Sequence, residues 1–357
     1  MSYVLAFLGF AALIILHEAG HFAAAKAVGM RVERFSLFFG PLLFKVRRGE
    51  TEYGIGPIPL GGYVKITGMN PNEDIPQEHV ARAYYNQPVW KRVVVILAGP
   101  GVNLLIAFAI IWVLLLNNGQ PIPTKRVAAV ARGSAAAQVL RAGDQLVSVD
   151  GVRGSESQLR AAIGKHRCAG PQVSGCVAAT PARIVVRRDG HLTTLSAAPR
   201  YSATDRRPEL GFEFGSTAHY PGLVGAASGA VSGLWSVTKQ TVSTVVRIFE
   251  PQERKQLSGV VGGYTVTQES FASNTSQALE VLALISLSLG VINLFPFLPL
   301  DGGHVFWAVA EKVRGKRIPF VVMERAGMVG FVLIILVFFI GLSNDVSTLA
   351  GKGFNVR

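Results

Sequence analysis

Residues 3–28 read YVLAFLGFAALIILHEAGHFAAAKAV, and this stretch sets the terms for the rest of the chain. About 20 apolar residues suffice to cross a bilayer core of about 30 Å as a helix, so the run is long enough to span. His17, Glu18 and His21 lie inside it. Positions i and i+4 of a helix share a face, so both imidazoles can point at one ion with Glu18 beside it. The H-E-x-x-H spacing is that of a zinc hydrolase: two neutral imidazoles hold Zn2+, and the glutamate takes a proton from water and passes it to the leaving amine. A chance match is a poor account, because a carboxylate and two imidazoles at membrane depth cost several kcal/mol and persist there for function.

Of 357 residues, 50% are hydrophobic and 16% charged, and the mean hydropathy is +0.37. This excludes an ordinary soluble protein and points to several spans. The net charge of +13 suits anionic lipid and retention of basic loops in the cytoplasm, and no nucleic-acid partner is expected. No basic region precedes the first apolar run, and the run carries the motif, so it is expected to stay uncleaved. Two cysteines, Cys168 and Cys176, lie close together in a polar stretch, where a small disulfide-closed loop is expected outside the cytoplasm.

Past the first span, 30–91 is polar and basic. Within it, FKVRRGETEYGIGPIPLGGYVKI (44–66) alternates like strand but is punctuated by Gly and Pro, which predicts a β-hairpin with irregular edges. An open edge there can pair with an extended substrate. A second span is read over about 93–116, containing Pro100 and Asn103, with Trp90 and Trp112 near its ends. Asn103 is either helix-packing glue or a donor to a substrate carbonyl. Residues 117–215 read as a strand-rich soluble domain with a hairpin at Asp189-Gly190. The segment 216–280 reads as a connecting, interfacial helical region, since Lys239, Gln240 and Arg247 argue against a further span at 221–249. The last membrane part, 281–357, holds a third span over about 282–300 and a fourth over about 320–342. The third ends in Asn293-Leu-Phe-Pro-Phe-Leu-Pro-Leu-Asp301-Gly302-Gly303, whose prolines and glycines imply broken helix.

The basic loops 30–91 and 311–319 are expected in the cytoplasm, which puts both termini and the soluble domain outside. The first and third spans then run the same way, and Asp301 reaches the depth of His17 and His21. Zinc held by two histidines needs a third protein ligand, and Asp301 is favoured over His304.

With these residues assembled, the chain resembles the site-2 protease family of intramembrane zinc metalloproteases, in its bacterial form with one PDZ domain. The similarity runs through HEAGH at 17–21, FGP at 39–41, PLGGYVK at 59–65, PVWKRVVVILAGPGVN ending at Asn103, GSAAAQVLRAGDQLVSVDG, and NLFPFLPLDGG at 293–303. It implies a polytopic helical membrane protein with four transmembrane helices, an inserted extracytoplasmic PDZ domain and a membrane-associated β-hairpin over 44–66. It also implies His17, His21 and Asp301 as zinc ligands and Glu18 as catalytic base. Asn103, Asn293, Gly61, Gly62 and Tyr63 are the candidate substrate contacts. Two departures stand out: the second proline of the N-x-x-P-x-P-x-L-D-G run is displaced to Pro299, and Gly-Pro-Val-Gly is replaced by Gly259-Val260-Val261-Gly262.

The expected activity is hydrolysis within or beside the transmembrane helix of a single-pass protein in the bacterial inner membrane. The resemblance suggests an anti-sigma factor or similar regulator, already trimmed by another protease. A zinc transporter or sensor would place ligands along several spans, and an inactive PDZ adaptor would have no need of Glu18. No carboxylate-binding Gly-Leu-Gly-Phe loop is evident at the start of the soluble domain, which favours a steric filter over C-terminus recognition for that domain.

Overall fold

The computed structural model describes residues 2–70, 72–202, 207–247, 250 and 259–350. The chain divides into two compact units, one comprising Met1–Leu115 and Leu223–Arg357, the other Leu116–Gly222.

In the first unit, α1 (Ser2–Ala27) is apolar on all sides, the pattern of a helix that faces lipid or core everywhere. It ends in a glycine-terminated cap. Gly29 adopts φ +83°, Met30 N–H donates to the Ala25 carbonyl at 2.9 Å, and Gly29 N–H donates to that of Lys26 at 3.1 Å. This is the pair of bonds that satisfies the last carbonyls of a helix and turns the chain sharply. Met30 then buries completely in a cluster with Ala25, Val32, Ile66, Tyr84, Val95 and Ile96, which binds the helix end to the sheet and helix that follow.

The sheet comprises β1 (Val32–Phe39), β2 (Phe44–Arg48), β3 (Thr51–Ile55) and β4 (Ile58–Ile66) in the order β2-β3-β1-β4. The hairpin expected over 44–66 is therefore only half right. β2 and β3 form a hairpin, Phe44 opposite Ile55, but β4 crosses to the far side of β1 and pairs with it antiparallel. β1 in turn runs parallel to β3. The Gly56-Pro57 break allows the crossing, with Gly56 N–H donating to the Leu37 carbonyl at 2.8 Å. β4 is left as an edge strand.

A short helix α2 (Gln77–Val80) leads to α3 (Val89–Asn118), which carries Pro100 in its interior. After the second unit, α5 (Gly222–Val246), α6 (Val260–Ser273), α7 (Thr275–Asn293), α8 (Asp301–Arg314) and α9 (Phe320–Ala350) complete the first. Among the described residues, four helices are long and apolar enough to cross a membrane: Ser2–Ala27, Val89–Asn118, Thr275–Asn293 and Phe320–Thr348. The third is shorter than the 282–300 reading at its C-terminal end. It stops at Asn293, a turn over 294–300 intervenes, and Asp301 opens the separate helix α8. Gly302 and Gly303 make that turn possible. A Cβ on Gly302 would run into the Leu294 and Phe295 carbonyls, and one on Gly303 would meet Phe297 backbone at 2.6 Å.

The described residues of the second unit form a five-stranded sheet in the order β11-β5-β6-β7-β8, with a separate pair β9 and β10, one α-helix, α4 (Glu156–Ile163), and a 3-10 turn over Ala136–Gln138. Its strands are β5 (Gln120–Val130), β6 (Gln145–Val149), β7 (Ala182–Arg188), β8 (His191–Ala197), β9 (Arg200–Ser202), β10 (Arg207–Glu209) and β11 (Phe212–His219). Val127, Leu146, Val149, Leu159, Ile163, Ile184 and Val186 form its core. Asp189 and Gly190, at φ +50° and +85°, make the two-residue turn between β7 and β8 that Asp-Gly favours. Cys168 and Cys176 are joined by a disulfide.

Candidate metal centre

His17 and His21 lie one turn apart on α1 and both are buried. Asp301 comes to them from the first turn of α8, 280 residues later in sequence. Nε2 of His17 and Nε2 of His21 are 3.2 Å apart, and each lies 3.3 Å from Asp301 Oδ2. That oxygen is buried and has no hydrogen-bond partner among the described residues. Two imidazole nitrogens and a carboxylate oxygen crowded into one triangle are poorly matched to each other as donors and acceptors. They are well matched to a cation. Ligand bonds of about 2.0–2.1 Å in a tetrahedron put ligand atoms roughly 3.3 Å apart, so the triangle fits three of the four corners of a zinc site and leaves one corner open. Among the described residues this is the one group of three or more His, Cys, Asp or Glu side chains that can share an ion. His304, three residues beyond Asp301, is not part of it.

α3 sets the orientation of both rings. His21 Nδ1 lies 2.9 Å from the Val95 carbonyl, which can only accept, so the proton sits on Nδ1 and Nε2 is left with its lone pair toward the triangle. His17 Nδ1 faces the Asn103 carboxamide at 3.1 Å. The helices approach closely enough for this because their contact residues are small. A Cβ on Gly20 would lie 2.6 Å from the Ala98 carbonyl, and one on Gly99 would overlap His21 Nε2 itself.

Glu18 points to the other side of the turn, toward the sheet. A Cβ on Gly62 would collide with Glu18 Cγ and lie 3.1 Å from its Cδ, so the glycine in β4 admits the carboxylate to the strand. Gly61, Gly62 and Tyr63 thus sit in the edge strand beside Glu18, with Gly61 at φ +142°. Asn293 closes α7 and is half-buried; among the described residues its side chain makes no hydrogen bond with the triangle. Two contributions escaped sequence reading. Val95 acts through its backbone carbonyl, which no side chain announces. Gly99 acts by lacking a side chain.

Away from the triangle, ionic clasps fix the surrounding segments. Glu50 accepts from Arg82 Nη1 at 2.6 Å and from Lys26 Nζ at 2.6 Å. Arg82, with Lys26 behind it, holds the Glu50 carboxyl down to about 2. In the second unit the Arg188 guanidinium grips Asp144 through Nε at 2.8 Å and Nη2 at 2.7 Å, holding that buried carboxyl below its ordinary value. There too, β11 is an edge strand. A groove of about 190 Å³ is lined by Arg160 and Ile163 of α4 and by Leu210, Gly211, Phe212 and Phe214.

Membrane-length helices, a buried two-histidine, one-carboxylate triangle and a glutamate beside an edge strand define a membrane-embedded zinc metalloprotease. The chain belongs to peptidase family M50, the site-2 proteases, whose family model matches residues 5–337. It is 32% identical over 354 residues to zinc metalloprotease Rip1 of Mycobacterium tuberculosis (strain ATCC 25618 / H37Rv), covering 84% of this chain and 83% of that protein. It is also 26% identical to putative zinc metalloprotease CA_C1796 of Clostridium acetobutylicum over 96% of both chains. A further 26% identity links it to putative zinc metalloprotease Cj1068 of Campylobacter jejuni, over 95% of this chain and 92% of that one.

Proposed function

We propose that this protease cuts the transmembrane segment of single-pass membrane proteins, as a step of regulated intramembrane proteolysis. The observation that carries the reading is the position of Glu18, one residue from His17 on α1 and packed against Gly62 of the edge strand β4. His17, His21 and Asp301 are assigned as the zinc ligands. Bound there, zinc would supply a Lewis acid that polarises the scissile carbonyl and acidifies a water molecule. Glu18 takes the proton of the attacking water and delivers it to the leaving nitrogen. β4, the edge strand that carries Gly61, Gly62 and Tyr63, would align an unwound substrate segment beside Glu18 by strand addition. Asn293, at the end of α7, stays a candidate contact further along the bound segment. A helical peptide bond is shielded by its own hydrogen bonds, so an extended segment is the form that hydrolysis requires.

The positive-inside rule supports a bacterial inner-membrane location with both termini and the Leu116–Gly222 unit outside. We assign that unit as a PDZ domain acting as a steric filter, so that substrates arrive already trimmed by another protease, an anti-sigma factor or similar regulator being the expected class. The groove beside β11 favours a second reading, capture of an extended peptide end as an added strand.

The test uses the full chain in detergent with a synthetic single-pass peptide. Glu18→Gln removes the base and spares the ligands, so the cleavage rate should fall by at least about 100-fold with zinc still near one per chain. Asp301→Asn should instead lower zinc retention. Undiminished cleavage by Glu18→Gln would end the assignment.

A further inference from the structure

We propose that Asn103 is a positioning residue for the metal centre: its carboxamide oxygen accepts a hydrogen bond from His17 Nδ1 and so holds His17 in the tautomer that offers Nε2 to zinc. The inference rests on the reading of His17 as a ligand and concerns what prepares it for that role.

Asn103 sits wholly buried in α3, a helix long and apolar enough to cross a membrane. A carboxamide there has to be explained, because an apolar side chain would cost nothing to bury. Helix packing does not explain it. The bond that links α3 to α7 at this level runs from Ser286 Oγ to the Asn103 main-chain carbonyl, 2.9 Å, and any residue at 103 would keep it. Contact with substrate does not explain it either, since the side chain has no exposed surface. What the carboxamide touches is His17 Nδ1, at 3.1 Å.

The two histidines are treated alike by α3. His21 Nδ1 is pinned by the Val95 carbonyl, and eight residues further along α3 Asn103 meets His17. A residue eight places on is about two turns away, on the same face. Acceptors that orient metal-bound imidazoles through the outer nitrogen are the usual companions of such ligands. As placed, Asn103 Nδ2 faces the ring and Oδ1 is buried without a hydrogen-bond partner among the described residues. The two ends of a carboxamide are told apart only by their hydrogen bonds. An NH2 donor at this point would hold the imidazole proton on Nε2, the atom that faces Asp301 Oδ2 at 3.3 Å. Rotating the amide by half a turn puts Oδ1 against Nδ1–H, and Nε2 then carries a lone pair into the triangle. The rotated amide is the form that a zinc-loaded site requires.

The experiment measures zinc affinity of the full chain in detergent by competition with a chromophoric chelator, with no substrate present. Asn103→Leu, close in shape but with no acceptor, should bind zinc about 10- to 100-fold more weakly. Asn103→Asp keeps an acceptor toward Nδ1–H and should stay within about threefold of the parent or bind more tightly. Ser286→Ala, which removes the packing bond, should leave the affinity unchanged. Asn103→Leu that folds and binds zinc as the parent does would overturn the proposal. So would a tenfold loss in Asn103→Asp, and this variant decides the matter if the leucine protein does not fold. His17→Ala separates the two readings, for unchanged zinc affinity in that variant would mean that the ligand assignment itself had failed.

Discussion

At the scale of single residues, the centre depends as much on missing atoms as on present ones. Glu18 reaches β4 because Gly62 has no side chain, and His21 keeps its place because Gly99 has none. Gly62→Ala is therefore expected to push the Glu18 carboxylate off the strand edge and to lower peptide cleavage by about 100-fold, the scale of a misplaced general base. Zinc content should be unaffected, since Gly62 touches no ligand. Cleavage at the parental rate in that variant would show that Glu18 has room to work elsewhere.

Secondary-structure elements are held by ion pairs whose response to acid can be stated. Glu50 occupies the β2–β3 turn and binds Lys26 at the end of α1 and Arg82 ahead of α3. Its folded value of about 2 lies below its ordinary 4.5. A depressed carboxyl gives stability that is fully present above the unfolded value and is lost as pH falls through the folded one. Amide exchange in β2 and β3, read after correction for intrinsic rates, should thus be constant from neutral pH down to about 5 and rise between there and about 2. Glu50→Gln should abolish that rise. In the second unit, Asp144→Ala strands the Arg188 guanidinium and should cost roughly 3 kcal/mol, the low end for breaking a buried pair because Arg188 keeps some contact with water. Exchange in β6 and β7 should accelerate about 100-fold, the equivalent of that energy. An unchanged rate would mean that the Arg188 bond to the Val139 carbonyl suffices.

On the scale of the whole molecule, the second unit begins and ends on neighbouring strands, Gln120 of β5 opposite His219 of β11. A short flexible linker can therefore replace it without stretching the rest of the chain. If the unit filters substrates, the shortened protease should cut a substrate that still carries its bulky external domain, and cut a trimmed one as before. Cleavage of the trimmed substrate alone would reject the filter and favour capture in the groove beside β11.

Elements whose signals are local could be read directly from the amino-acid order. The apolar run over 3–28, the H-E-x-x-H spacing, the helical lengths and the Asp189-Gly190 turn each rest on neighbours within a few residues, where periodicity and turn chemistry act. The sequence also marked Asp301 and Asn103 as unusual, because charge and amide groups are expensive in hydrocarbon. It left open what Asn103 meets. β4 was read as the partner of the strand before it, yet it pairs with β1, since strand pairing is a choice among distant segments that alternation alone does not make. The turn at 294–300, which lets Asp301 open its own helix, depends on backbone packed against Gly302 and Gly303. The Val95 carbonyl and the Gly62 gap carry no side-chain signature at all. These features emerge only in the folded chain, because they arise where two elements touch, and the atoms that touch are backbone or absent.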